Sequence, residues 1–299
     1  MVGVRPNLRA LELLVGFLLV GFAFAILIPP PRVFAQIGCG TILTTSTTLT
    51  SDIGPCVGPG LILGSNGITL ACAGHTVTGS ATAEIGSSGI DLSGRTGDAV
   101  KNCTVSSFHD GFLLSGSTSN TLSGNTASGN THDGFNIASS STKNTLTGNT
   151  AGTFNGNCGI DLSSSNSNTL TRNTAKVNPS GFLLSSSSSN TLTGNTANDN
   201  TGTSTSPGAG FYLVSFSSMN VLRTNAAVGN VGNPGDDGFH LDMTTSSNSI
   251  IGNQANFNPA YGYEDNSLGS GTSGTANTYS GDRCTGNGLF GSLPSGLCR

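Results

Sequence analysis

Along most of the chain, apolar and polar residues alternate in short runs that open on a glycine. The phrase recurs as Gly89-Ile90-Asp91-Leu92, Gly111-Phe112-Leu113-Leu114, Gly134-Phe135-Asn136-Ile137, Gly159-Ile160-Asp161-Leu162, Gly181-Phe182-Leu183-Leu184, Gly210-Phe211-Tyr212-Leu213 and Gly238-Phe239-His240-Leu241. A weaker copy, Gly262-Tyr263, follows. A period of two is the pattern of a strand with one face covered. It predicts one inward column of Phe112, Phe135, Ile160, Phe182, Phe211 and Phe239, and a second of Leu114, Ile137, Leu162, Leu184, Leu213 and Leu241. Leu113, Asn136, Asp161, Leu183, Tyr212 and His240 then face outward.

The opening glycines are spaced by 22, 23, 25, 22, 29, 28 and 24 residues. A unit of that length cannot bury its own apolar side chains, so it must stack on its neighbours. Short strands, turns rich in Gly, Asn and Ser, and no helical stretch between them predict an all-β, right-handed parallel β-helix of about eight to nine coils. Each unit carries a second phrase such as Asn120-Thr121-Leu122-Ser123-Gly124-Asn125-Thr126-Ala127. Asn125, Asn149, Asn173, Asn195, Asn225 and Asn253 fall in one column, where stacking at ~4.8 Å lets one side-chain amide donate to the next. The same register places Cys103 and His75 in that column, which makes His75 a turn residue.

Composition narrows the field. Of 299 residues, 44 are glycine, 9 % are charged and none is Trp. Gly, Ser, Thr and Asn are weak helix formers, which excludes an enzyme built on long helices. A formal charge of -4 lacks the basic footprint of a nucleic-acid binder, and 35 % hydrophobic residues with few charges argue against disorder.

Residues 1–35 differ in kind. Arg5 and Arg9 precede an apolar run over 13–28 and three prolines, the form of a secretory signal peptide cleaved after Ala35; an uncleaved anchor is the alternative. Cleavage implies a secreted, extracellular or periplasmic protein that leaves the membrane; a monomer is expected. Export lets cysteines pair. Cys39 with Cys56 and Cys284 with Cys298 bracket an N-terminal cap, 36–60, and a C-terminal cap, 266–299, around a helical body of 61–265. Cys72, Cys103 and Cys158 are left as small buried side chains, with at least one thiol lacking a partner in the chain.

Gly67-Ile68-Thr69-Leu70 leading to Ala73-Gly74-His75-Thr76-Val77, then Val100-Lys101-Asn102-Cys103-Thr104-Val105 and the repeated Asn-Thr-Leu-x-Gly-Asn-Thr phrase, resemble the NosD-like and pectate-lyase-like right-handed β-helix repeat proteins. The resemblance covers most of the chain after residue 35. It implies an exported protein, often one that binds or cleaves carbohydrate and in one branch one that delivers copper. It does not imply one activity. The chain has neither the Asn-Thr-Asp and Gly-His-Gly pair of polygalacturonase-like hydrolases nor the Asp-Pro-His of alginate epimerases, and no basic residue repeats on the outward face.

Polar chemistry gathers just before the Gly-Phe phrase. His109-Asp110-Gly111-Phe112 and His132-Asp133-Gly134-Phe135 are identical and one coil apart, so their carboxylates and imidazoles stack about 5 Å apart. That separation suits a retaining glycosidase, and the mixed donors suit a divalent metal. Asp before Gly is also ordinary turn chemistry, in which the carboxylate caps nearby amides. Asp161 follows in the next coil. Asp236, Asp237, His240 and Asp242 form a second acidic cluster beside the enlarged turns 201–209 and 229–237, and Tyr212 can stack on a sugar ring. No organic cofactor is called for. Three functions fit: a polysaccharide-binding or polysaccharide-processing protein (a lyase or glycoside hydrolase if catalytic) working through the face of Asp110, Asp133 and Asp161; a structural or adhesive rod about 40 Å long; or a copper-handling accessory. Only Met219 and Met243 offer soft thioethers after residue 35, which ranks copper last.

Overall fold

A computed structural model describes residues 37–80, 86–203, 208–232 and 237–299; the expected signal segment, 1–35, lies outside the described residues. The described residues form a right-handed parallel β-solenoid. Among the described residues, three sheets of 11, 10 and 10 strands run its length, and every strand pairs with the equivalent strand one coil away. Each regular coil therefore has three sides. In one coil these are Asp110–Ser115 in the first sheet, Thr121–Ser123 in the second and Thr126–Ser128 in the third. Strands of the two terminal segments join as outermost members, Thr41–Leu43 at one end and Phe290–Leu293 at the other. The disulfides Cys39–Cys56 and Cys284–Cys298 form as expected.

The interior follows from the alternation. Phe112 stacks on Phe135 at 4.6 Å, Phe182 on Phe211 and Phe211 on Phe239 at 4.7 Å, and Phe239 on Tyr263 at 4.8 Å. These rings and the leucine column behind them are fully buried. The second sheet contributes Leu122, Leu146, Leu170, Leu192 and Leu222, and the third contributes only alanines from Ala127 to Ala255. Small side chains there let the third sheet approach the start of the first. A Cβ added to Gly111 would stand 2.6 Å from the carbonyl oxygen of Gly134 and 2.8 Å from the Ala127 methyl. Close approach, and not a bend, is what demands the coil-opening glycine. In the ladder turn the backbone is left-handed at Gly124 (φ 63°), but Arg172 (φ 53°) and Thr224 (φ 51°) occupy the same position, so glycine there relieves strain without being required.

The expected asparagine column is present, and two more accompany it. Asn125 donates its backbone N–H and its Nδ2 to Asn149 Oδ1, both at 3.0 Å, and gives its other amide hydrogen to the Val100 carbonyl. The pattern repeats to Asn253, which donates to Asp282 Oδ1 as the last rung. Parallel ladders start at Asn120 and at Asn130, one at each remaining corner of the coil. The amides of the ladders are thus satisfied without water.

Two expectations at the N-terminal side are corrected. Cys72 and Cys103 are not merely buried side chains; they form a disulfide between adjacent coils, leaving Cys158 as the free, buried cysteine. His75 precedes Thr76, which pairs with Thr104, so its register is as expected, but its ring leaves the column. Its Nδ1 lies 3.1 Å from Asp52 Oδ1 in a partly exposed pair.

Candidate functional site

The middle residues of the first sheet form one outward line. Pairing runs Asp91 to Leu113, Asn136, Asp161, Leu183, Tyr212, His240 and Glu264 in register. Two polar clusters lie along it, at the coils of His132 and of His240.

In the first cluster the imidazoles of His109 and His132 stack at 4.7 Å with planes 14° apart, as the repeat predicts. The carboxylates are withdrawn from solvent. Asp110 is 5 % exposed and Asp133 is fully buried, so they do not face a common open cleft as a retaining pair would. Asp110 Oδ1 accepts the Asp133 N–H at 3.1 Å, and Asp133 Oδ1 accepts the Cys158 N–H at 2.9 Å. Each carboxylate therefore ties one coil to the next. His132 Nδ1 sits between Asp110 Oδ1 (3.1 Å) and Asp133 Oδ2 (2.9 Å), and these two carboxylates, Asp110 first through its hydrogen bond and then Asp133 close by, push its pKa up to about 10. Burial works against ionised Asp110, but hydrogen bonds from His132 and the Asp133 N–H outweigh it and hold the carboxyl below its usual range. Burial raises Asp133. Asp161 belongs to the outward line yet is only 6 % exposed; burial, then the charge of Asp133, push it up to about 7.

In the second cluster His240 Nδ1 lies 2.9 Å from Asp237 Oδ2 and 3.1 Å from Glu264 Oε2. Asp237 Oδ1 also accepts the Tyr261 N–H. Burial disfavours protonated His240, but hydrogen bonds to Asp237 and Glu264 prevail and raise it to about 9. The His240 hydrogen bond holds Glu264 down at about 2, while burial lifts Asp237 to about 6. Tyr212 meets the His240 ring edge-on at 5.1 Å, and burial followed by the charges of Asp242 and Glu264 keeps its hydroxyl protonated.

Asp242 is not brought into this cluster. Its carboxylate caps the following turn at the Thr244 N–H and accepts the Ser215 N–H of the preceding coil. Asp236 lies outside the described residues, as do parts of both enlarged turns. Glu264 was missing from the predicted set. Its signal was position alone, since it is the middle residue of the weak last phrase, Gly262-Tyr263-Glu264. Three ligand atoms lie within 4.8 Å of one another in His109, Asp110 and His132, and again in Asp237, His240 and Glu264, so either group has the geometry to hold a metal ion.

Fold and site together define a parallel β-solenoid with a polar line on one sheet. A family model for the right-handed β-helix region matches residues 51–197 and 88–255, and the chain belongs to that family. No curated protein matches it by sequence. Among solved structures it is similar to the periplasmic alginate epimerase AlgG, at 16 % identity and TM-score 0.57 over 80 % of this chain and 58 % of that one. It is also similar to an alginate lyase from Paenibacillus sp. str. FPU-7, at 13 % identity and TM-score 0.54 over 85 % and 90 %. The catalytic domain of a GH87 α-1,3-glucanase aligns at 15 % identity and TM-score 0.50 over 87 % and 61 %. The chain thus spans about three fifths of the epimerase and glucanase chains. At these identities the likeness is one of fold.

Proposed function

We propose that the protein is an exported polysaccharide-binding β-helix whose glycan lies along the outward line of the first sheet. The observation that carries this reading is the register of Tyr212, His240 and Glu264 on three consecutive coils. It sets an aromatic ring, an imidazole and an ionised carboxylate in a row at the ~4.8 Å strand spacing. The ring offers a face or edge to sugar C–H groups, and the other two bind hydroxyls. On the far side of Leu183, His109 and His132 lie beside this row, just before the strands that carry Leu113 and Asn136. Proteins of the same fold that act on alginate and on α-1,3-glucan support a glycan as ligand. Three disulfides support an oxidising destination, and among the described residues no helix is long and apolar enough to cross a membrane.

Contact passes through Tyr212, His240, Glu264 and the imidazoles, and not through Asp110, Asp133 and Asp161, because those carboxylates are buried. The same burial favours binding over hydrolysis, which uses a carboxyl group at the glycosidic oxygen. Binding to a panel of uronate-containing and neutral polysaccharides tests the reading. Retention of at least one glycan by the wild type, lost in Tyr212→Ala with an unchanged circular-dichroism spectrum, is the expected result. Absence of any glycan binding would leave the structural-rod function in its place.

A further inference from the structure

We propose that His109, Asp110 and His132 bind one divalent transition-metal cation, with Zn2+ the best fit, beside the buried Asp133 Oδ2. This inference does not rest on glycan binding.

The two clusters look alike in outline but differ in how well they satisfy themselves. Among the described residues, eight buried side-chain polar atoms make no hydrogen bond, and four of them belong to the first cluster: His109 Nδ1, Asp133 Oδ2, Asn136 Oδ1 and Asp161 Oδ1. None belongs to Asp237, His240 or Glu264. Buried polar groups are rarely left unpaired, and each such group costs about 1–3 kcal/mol. Asp133 Oδ2 does meet His132 Nδ1 at 2.9 Å, but outside hydrogen-bonding geometry, and Asp110 Oδ1 faces the same nitrogen at 3.1 Å. One nitrogen carries at most one hydrogen and cannot serve both. Asp133 is fully buried and Asp161 is 6 % exposed, so bulk water reaches neither freely.

Three of the four unpaired atoms are oxygens and the fourth is an imidazole nitrogen, so the cluster has an excess of electron-pair donors over hydrogens. A cation supplies what is lacking. Asp110 stands between the rings, with Oδ1 toward His132 and Oδ2 3.4 Å from His109 Nδ1, while Asn136 Nδ2 holds Oδ2 at 3.1 Å. The ring stack points both Nδ1 atoms at this one carboxylate. Two imidazole nitrogens with one carboxylate oxygen are a borderline donor set, suited to Zn2+ and its first-row neighbours; Ca2+ and Mg2+ prefer cages of oxygen. Exposure of the imidazole edges leaves an entry path and room for a further ligand.

Titration of the full chain, free of any histidine tag and stripped with chelator, against Zn2+ by calorimetry and elemental analysis tests this. One tightly held equivalent is expected. His109→Gln and His132→Gln, which alter partly exposed rings, should each weaken it by at least about tenfold, and His240→Gln should leave it unchanged. Co2+ should give visible bands of nitrogen and oxygen ligation without the intense near-ultraviolet band of a thiolate. Failure to bind a stoichiometric equivalent, equal loss in His240→Gln, retention in both His109→Gln and His132→Gln, or a thiolate band from Cys158 would each overturn the proposal. The wild-type stoichiometry and the Co2+ spectrum do not depend on any variant folding.

Discussion

The backbone N–H of Cys103 donates to Asn125 Oδ1 at 3.0 Å, so the longest-read asparagine ladder begins on a residue whose sulfur is bonded to Cys72 in the coil before. A covalent rung thus replaces the amide rung where the ladder would otherwise run out. The Cys72→Ser, Cys103→Ser variant should lose about 2–4 kcal/mol, and limited proteolysis should then begin in the first coils. Cleavage starting near Asn173 would contradict this.

Within the ladder, an amide and a carboxylate are not equivalent. Asn173 Oδ1 accepts two hydrogens from Asn149, while its Nδ2 donates to Asn195 Oδ1 and to the Leu146 carbonyl. Asn173→Asp would turn that Nδ2 into an oxygen facing two acceptors, with an expected cost of about 3 kcal/mol or more from unpaired buried groups. Asp282 holds the last rung without this conflict, because its second oxygen accepts the Ser280 N–H at 3.0 Å. Urea denaturation should show that loss in Asn173→Asp and a smaller one, about 1–2 kcal/mol, in Asp282→Asn, whose new Nδ2 would oppose the single Ser280 N–H at a part-buried position.

This contrast also marks how far the sequence could be read. The Asn125 column was legible because the Asn-Thr-Leu-x-Gly-Asn-Thr phrase copies it faithfully. Asn120 and Asn130 stand five residues to either side, and their ladders emerge only once the coil is known to have three sides. The inward Phe and outward Tyr212 followed from period two within a strand. The burial of Asp110 and Asp133 did not, because it comes from bonds to the next coil and from the His132 ring, which no alternation within a strand encodes. Cys72 escaped because it lies three residues ahead of His75, the position that the register matches to Cys103. Glu264 escaped because its phrase has decayed to Gly262-Tyr263.

The second cluster gives the molecule a pH signature. His240 faces Asp237, Glu264 and Tyr212. Its pKa rises from 6.5 to about 9 on folding, so its charged pairing contributes fully below 6.5 and is lost as pH climbs through about 9. Glu264, lowered from 4.5 to about 2, contributes above 4.5 and fades as pH falls through about 2. Asp237, raised from 3.8 to about 6, acts in the opposite sense, costing stability as pH rises across that interval. His240→Gln should therefore be less stable than wild type by about 2 kcal/mol near pH 6, the scale of a hydrogen bond to a charged group. Denaturation midpoints at pH 6 and pH 10 check this: the difference should shrink towards zero at the higher pH, and a constant difference would contradict the assignment.

The central claim is that a glycan lies along the first sheet. With only four His and four Tyr in the chain, their ring protons can be followed singly by nuclear magnetic resonance. Titration with an oligosaccharide of the retained glycan should shift the rings of His240 and Tyr212 together, at one saturating concentration, and leave His75 near Asp52 unmoved. Shifts confined to His75 or to Tyr279 in the C-terminal segment, with Tyr212 and His240 silent, would contradict it.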